Sequence, residues 1–248
     1  GFSPALAEAI EVDVELVLAV DTSNSMAHDE QTMQRRGYVE AITSPEVLAA
    51  VRSGLIGRIA VAYLEWGEKG KESVVVDWHL VEDRESAERF AAALVDEPIG
   101  QRRRTSISGA LAYATAMIET NRYEGLRRVI DVSGDGPNNH GGPVLAARAD
   151  TLSRGIVVNG LPVMIRDGRR RWSVVRELDL YYETCVIGGP GAFQVPVTSK
   201  ADFADAIRRK LVLEIAGVVP DSHRLVPASM RQGPEHLCTA GERATARR

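Results

Sequence analysis

The amino-acid sequence predicts an α/β fold: a mostly parallel central sheet with one antiparallel edge strand and helices on both faces. Strand-like and helix-like segments alternate along the chain, which is typical of parallel strands joined by crossover helices. Residues 12–20 are a predicted strand with an unbroken apolar core, LVLAV at 16–20, as expected for a central strand that is buried on both faces. In residues 73–81 polar side chains alternate with apolar ones after the short turn 67–70, which indicates an antiparallel edge hairpin.

The other elements follow from periodicity and from signals at their ends. Ser44 and Pro45 are residue types preferred at the N-cap and the first position of a helix. Gly155 is suited to end the helix that precedes it. The predicted strands are 12–20, 58–66, 73–81, 127–133, 156–165 and 192–197, and the predicted helices are 29–42, a helix that starts at 45, 84–95, 106–119, 143–153, 173–184 and 200–216.

Length and composition are those of a globular protein with one large domain. The chain has 248 residues, 44% of them hydrophobic and 26% charged, with a formal net charge of −4. This charge gives no indication of nucleic-acid binding, and no apolar run reaches the roughly 20 residues of a membrane-spanning helix. We divide the chain into an N-terminal segment (1–11), one α/β domain (12–216) and a polar C-terminal tail (217–248).

The N-terminus and the cysteines bear on the cellular location. Ala5 and Ala7 precede a polar residue in the A-x-A form of a signal-peptidase site, so segment 1–11 is interpreted as holding a signal-peptide remnant. This predicts a periplasmic or secreted protein; an ordinary alanine-rich segment in a cytoplasmic protein is the alternative. Cys185 and Cys238 are compatible with one disulfide outside the cytosol, which we predict if the chain is exported; two free thiols are the alternative.

Hard oxygen donors occur at three places where a predicted strand ends or a predicted helix begins. They are Asp21, Ser23 and Ser25 after the first strand, Thr105 before a helix, and Asp135 after the fourth strand. One end of a parallel sheet would gather all five, and such oxygens suit a small hard cation such as Mg²⁺ or Mn²⁺. Helix capping and a glycine turn would explain each segment separately, but not their occurrence together.

The order and spacing of these five residues resemble the metal-ion-dependent adhesion site (MIDAS) of von Willebrand factor A domains. The resemblance covers residues 12–216 and is strongest to exported bacterial members. It implies that Ser23, Ser25 and Thr105 bind the ion directly, whereas Asp21 and Asp135 act mainly through bound water. It also implies a function: Mg²⁺-dependent binding of a protein partner that presents a carboxylate.

Basic residues are expected around this metal site. The predicted rim residues are Arg102, Arg103, Arg104, His140, Arg169, Arg170 and Arg171. A basic rim on a net acidic chain would steer an acidic ligand toward the site. The alternatives are solvated loops for the arginines and a structural role for the histidine.

The sequence favours a binding protein over an enzyme. G-x-S-x-G, G-x-x-x-x-G-K-[ST] and H-E-x-x-H motifs are absent, and no nearby histidine is arranged to activate Ser23 or Ser25. A metal-assisted hydrolase that uses the same ion as a Lewis acid is the alternative function. No oligomeric state is predicted.

Overall fold

A five-stranded sheet forms the centre of the molecule. The structure, a computed structural model, describes residues 9–24, 26, 28–165, 177–217 and 235–246. The strands are β1 (Ile10–Asp21), β2 (Ile59–Trp66), β3 (Ser73–Val81), β4 (Tyr123–Gly134) and β5 (Val157–Pro162). Their order is β3-β2-β1-β4-β5, and all neighbours are parallel except β3, which is antiparallel to β2 at the edge. The predicted fold class is confirmed.

Helices cover both faces of the sheet. They are α1 (His28–Ile42), α2 (Pro45–Arg52), α3 (Arg84–Asp96), α4 (Ile107–Thr120), α5 (Val144–Ser153), α6 (Leu178–Tyr181), α7 (Phe203–Ala216), α8 (Glu235–Cys238) and α9 (Ala240–Ala246). One hydrophobic core lies between the sheet and α1, α2, α3 and α7, and a second lies between the opposite face and α4, α5 and α6. Among the described helices, none has the length and apolarity needed to cross a membrane.

The first strand is central because it is apolar on both faces. Val14, Leu16 and Leu18 point into one core, whereas Val17 and Ala19 point into the other, as strand periodicity requires. Because β1 is parallel to both of its neighbours, its last residue lies at the same edge of the sheet as the carboxyl end of β4.

The prediction of a regular final strand at residues 192–197 is wrong. This segment forms only isolated backbone bridges to the β5 region, at Gln194 and Val197. Pro162 has no N–H group to donate between these two bridges, so a continuous ladder cannot form between the two segments. The predicted helix 173–184 falls partly outside the described residues; its described part is α6, followed directly by a π-helical turn, Tyr182–Val186.

A disulfide between Cys185 and Cys238 connects the C-terminal helices to the rest of the protein. Cys185 lies in the π-helical turn and Cys238 is the last residue of α8. Both cysteines are buried in the second core. The disulfide therefore holds α8, and α9 directly after it, against the body of the domain.

Three charged side chains lie in the interior between α7 and the sheet, and we call them the buried ion cluster: Asp131, Lys210 and Glu214. Lys210 Nζ lies 2.5 Å from Asp131 Oδ1 and also contacts Glu214 Oε1. Asn159 Nδ2 donates a hydrogen bond of 3.0 Å to Glu214. Burial, and next the charge of Asp131, raise the pKa of Glu214 from 4.5 to about 7, although Lys210 opposes this.

Glu214 is expected to make stability depend on pH. Because its folded-state pKa is raised, the folded protein binds this proton more tightly than the unfolded chain does. The stabilisation is fully present below about pH 4.5 and is lost as pH rises to about 7, a change of about 3 kcal/mol. Urea unfolding gives the free energy of unfolding of the wild type and of Glu214→Gln at each pH between 4.5 and 7.5. The difference between the two pH curves is the contribution of Glu214.

A matched control is Glu85→Gln, because Glu85 is paired with Arg89 at an exposed position. Its curve should run parallel to that of the wild type. A Glu214→Gln curve that is also parallel to the wild-type curve would show that Glu214 does not titrate in this range.

Candidate metal site

The candidate metal site lies where the carboxyl ends of β1 and β4 meet the start of α4. Asp21 is the last residue of β1, Asp135 directly follows the last residue of β4, and Thr105 precedes the N-cap Ser106 of α4. Val20 and Ser133 are paired in the parallel ladder, which brings the two strand ends side by side. Thr105 Oγ1 lies 3.9 Å from the position that a Cβ atom would take at Gly136.

Asp21 is buried with half of its carboxylate unsatisfied. Its Oδ1 accepts a hydrogen bond of 2.7 Å from the backbone N–H of Ser23. Its Oδ2 is buried and has no hydrogen-bond partner among the described residues. Burial, and next the charge of Asp135, raise the pKa of Asp21 well above its ordinary value, although hydrogen bonding from Ser23 and from the backbone of Asp135 opposes this. A buried carboxyl group beside the charge of a second, partly buried one forms an arrangement that a cation would stabilise.

The loops that carry Thr105 and Asp135 are joined by hydrogen bonds. The backbone N–H of Thr105 donates to Asn139 Oδ1 at 3.0 Å. The carbonyl oxygen of Thr105 accepts from the backbone N–H groups of Asn139, at 2.8 Å, and His140, at 3.2 Å. These bonds fix the two loops relative to each other, so Thr105 is positioned by the segment that follows Asp135.

Glycine at position 134 leaves room beside the carboxylate of Asp21. A Cβ atom there would lie 3.0 Å from Asp21 Oδ2 and 2.9 Å from the hydroxyl oxygen of Tyr182. The hydroxyl of Tyr182 is itself buried without a partner among the described residues. Burial, and next the charges of Asp21 and Asp135, raise its pKa. Tyr182 was not recognised from the sequence, because no motif surrounds it.

Of the two serines in the predicted set, Ser23 lies within the described residues. Ser23 is buried and forms an isolated parallel bridge with Arg102, and its carbonyl oxygen accepts a bond of 3.3 Å from Gln31 Nε2. Ser25 lies outside the described residues.

The predicted rim residues are in different environments. Arg102 Nη1 lies 3.2 Å from Glu65 Oε2 and 2.9 Å from Thr22 Oγ1, and its side chain is only 12% exposed. Its charge is therefore compensated inside the protein. Arg103 and Arg104 are exposed.

The remaining predicted rim residues are His140 and the three arginines at 169–171. His140 Nδ1 accepts a hydrogen bond of 3.0 Å from the backbone N–H of Lys69, which fixes the imidazole ring. Arg169, Arg170 and Arg171 lie outside the described residues.

The donor chemistry fits a hard divalent cation. Among the described residues there is no group of three or more histidine, cysteine or acidic side chains that could hold a metal ion by itself. The residues at the site offer carboxylate and hydroxyl oxygens instead, and these suit Mg²⁺ or Mn²⁺. Asp135, Thr105 and the unsatisfied oxygen of Asp21 could take part in holding such an ion.

Several solved structures are similar to this fold. Proximal thread matrix protein 1 from the mussel byssus has a TM-score of 0.59 at 15% identity and covers 85% of this chain and 49% of that chain. The pilus adhesin SpaC from Lactobacillus rhamnosus GG has a TM-score of 0.60 at 13% identity, and the match covers 86% of this chain and 31% of SpaC. A von Willebrand factor type A protein from Catenulispora acidiphila has a TM-score of 0.56 at 16% identity, and the match covers 83% of this chain and 43% of that protein.

This chain thus spans about half or less of those three proteins, and the similarity concerns the fold. Another structure of the mussel protein, with a TM-score of 0.57 at 11% identity, has a zinc-occupied MIDAS motif. A search of curated proteins gave no match. The fold is that of von Willebrand factor A domains. Residues 11–219 match the model of the family described as protein of unknown function (DUF1194), and the chain therefore belongs to this family.

Proposed function

We propose that this protein is a recognition domain of the adhesion type, which binds a carboxylate of a protein partner through Mg²⁺ or Mn²⁺. The observation that carries the proposal is the buried, unsatisfied Oδ2 of Asp21 at the edge of the sheet where Asp135 and Thr105 also lie. A buried carboxylate oxygen without a partner is costly, and a bound cation would remove that cost.

Each residue of the set has a distinct role in this proposal. Ser23, Ser25 and Thr105 provide hydroxyl oxygens to the ion, and Asp21 and Asp135 orient its water ligands. The hydrogen bonds between Thr105 and Asn139 keep the hydroxyl and carboxylate loops at a fixed separation. When bound, the ion supplies a coordination position with uncompensated positive charge, which a partner's carboxylate completes.

Two of the similar structures support this function. The mussel protein has a divalent cation in its MIDAS motif, which supports a metal-dependent site on this fold. SpaC is a pilus adhesin, which supports a protein-binding role. Zinc occupies the mussel site, but the oxygen donors available here favour Mg²⁺ or Mn²⁺.

We also propose a periplasmic or secreted location. The A-x-A pattern at Ala5 and Ala7 supports export, and a disulfide such as Cys185–Cys238 persists in oxidising compartments.

Metal binding and partner binding can be tested separately. Calorimetric titration of metal-free protein with Mg²⁺ and with Mn²⁺ should show one site per chain. A partner retained from native-host extracts in Mg²⁺ should be released by EDTA. Titrations without binding would disprove the metal site, whereas retention that is unchanged in EDTA would disprove only the role of the metal in partner binding.

Thr105→Ala and neutralised arginines are expected to change different rate constants for partner binding. Thr105→Ala removes a hydroxyl donor but keeps the backbone bonds to Asn139, so the dissociation rate should rise by about 10-fold or more. Replacement of Arg103 and Arg104 by alanine should mainly lower the association rate and its salt dependence, because exposed charges act on diffusional encounter.

Surface plasmon resonance at several salt concentrations separates the two effects. Arg84→Ala is a suitable control, because Arg84 is exposed and paired with Glu88 on α3. If Thr105→Ala left the dissociation rate unchanged, its hydroxyl would have no part in holding the partner.

A further inference from the structure

The C-terminal helices contact the loop that follows Asp135. We call residues 235–246, which comprise α8 and α9, the C-terminal brace. Glu242 in this brace accepts two hydrogen bonds on Oε1, one of 3.0 Å from Asn138 Nδ2 and one of 2.9 Å from the backbone N–H of Val144. The brace therefore touches the loop only three residues after Asp135.

Glu242 performs the capping role that the start of α5 lacks. The N-cap residue of α5 is Pro143, which makes no side-chain capping bond. The backbone N–H of Val144 would otherwise be one of the unsatisfied donors at the helix start. A carboxylate is favourable at this position because the helix N-terminus carries partial positive charge.

Asn138 connects Glu242 to the metal-site loops. Its side chain also accepts a hydrogen bond of 3.1 Å from the backbone N–H of Ser108, in the first turn of α4. Its own backbone N–H donates to the hydroxyl of Tyr181 at 3.0 Å, and the residue is fully buried. Because the next residue, Asn139, bonds directly to Thr105, the position of Asn138 determines how the two loops are arranged.

The close approach of the brace depends on a glycine. A Cβ atom at Gly241 would lie 2.3 Å from the carbonyl oxygen of Asn138, which real structures do not tolerate. The backbone of α9 therefore lies directly on the loop, and the Cys185–Cys238 disulfide keeps it there.

We propose that Glu242 is a positioning residue of the candidate metal site, and that the disulfide-held C-terminal brace sets the affinity of that site for its cation. This inference rests on the proposed function. Glu242 acts through Asn138 and does not bind the ion. The family match ends at residue 219, so the brace is a part of this chain outside the matched region.

The first test compares the Mn²⁺ affinity of the wild type with that of three variants by calorimetry, at a temperature where all are folded. Glu242→Ala loses both hydrogen bonds and should bind Mn²⁺ at least 10-fold more weakly, as is usual when residues that support metal ligands are removed. Glu242→Gln keeps the Oε1 acceptor and should remain within about 2-fold of the wild type. Glu85→Ala makes the same chemical change on exposed α3 and should have no effect.

Hydrogen exchange distinguishes positioning from general destabilisation. In Glu242→Ala the backbone amides of Asn139 and His140, which bond to Thr105, should exchange faster, whereas amides in β1 and β2 should not change. Gly241→Ala should weaken Mn²⁺ binding by a similar factor, because its Cβ displaces the brace. A double Cys185→Ala/Cys238→Ala variant should also weaken Mn²⁺ binding. If this variant does not fold, Glu242→Ala and Gly241→Ala still test the role of the brace.

The possible outcomes separate this inference from the proposed function. If the wild type binds Mn²⁺ and Glu242→Ala binds it equally well, the brace has no role in the site and the inference is overturned. Equal weakening in Glu242→Ala and Glu242→Gln would overturn positioning by hydrogen bonds. If the wild type does not bind Mn²⁺, the proposed function itself fails.

Discussion

Asp21→Asn is expected to abolish binding of Mg²⁺ and Mn²⁺ and to leave the metal-free protein at least as stable as the wild type. The amide oxygen of asparagine can still accept the bond from the Ser23 N–H, so the local turn should persist. The charge that would attract the cation is lost, and the affinity should fall by at least about 100-fold, the upper end of the effect of removing residues that only support metal ligands.

The stability part of this prediction follows from the environment of Asp21. The carboxyl group is fully buried and its charged form is disfavoured by burial and by Asp135. A neutral residue of the same shape removes that unfavourable charge. Urea unfolding in EDTA and calorimetric titration measure the two quantities on the same preparation.

Asp13→Asn is the matched control, since Asp13 is another buried aspartate of β1. Its carboxylate accepts backbone N–H bonds from residues 56–58, at the other end of the strand. This variant should lose stability but keep one metal site. If Asp21→Asn bound metal as well as the wild type, the cation would have to bind elsewhere.

Lys210→Met is expected to cause the largest loss of stability. Its ammonium group lies between Asp131 and Glu214, and all three side chains are about 1% exposed or less. Removal of the cation leaves buried acidic groups without compensation, which typically costs about 3–5 kcal/mol. Methionine occupies a similar volume, so a cavity contributes little to the expected change.

Unfolding in urea at pH 7.5 measures this effect, with Lys200→Met as the control. Lys200 pairs with Asp29 on the surface, where ion pairs contribute about 0–1 kcal/mol. Adding Glu214→Gln to Lys210→Met should recover part of the loss, because one of the uncompensated acids becomes neutral. A loss in Lys210→Met no larger than that in Lys200→Met would show that the cluster is not a buried, coupled unit.

The sequence was sufficient to predict the parts of the fold that depend on local pattern. The apolar run of β1 indicates burial on both faces, and the half-polar alternation of β3 indicates the antiparallel edge. Both are confirmed. The same strand pattern places Asp21 and Asp135 at one edge, because the carboxyl ends of parallel strands meet there.

Contacts between distant residues were not predictable in this way. Arg102 belongs to a run of arginines that suggests an exposed rim, but Glu65 at the end of β2 binds it inside the protein. Lys210 and Glu214 have the spacing of an ordinary surface pair on a helix, and only the packing of α7 against Asp131 shows that they are buried. Glu242 bonds to a loop about a hundred residues earlier, for which no sequence motif exists.

The disulfide has a mechanical consequence when a force pulls on the C-terminal brace. A pulling force that enters through the residues after Cys238 passes across the sulfur–sulfur bond to Cys185 and into the body of the domain. The intervening segment, with a sequence separation of 53 and including α7, carries no tension. About 170–190 Å of extensible chain is thereby withheld from stretching. Reduction of the bond would release that length and make α7 part of the path along which force travels.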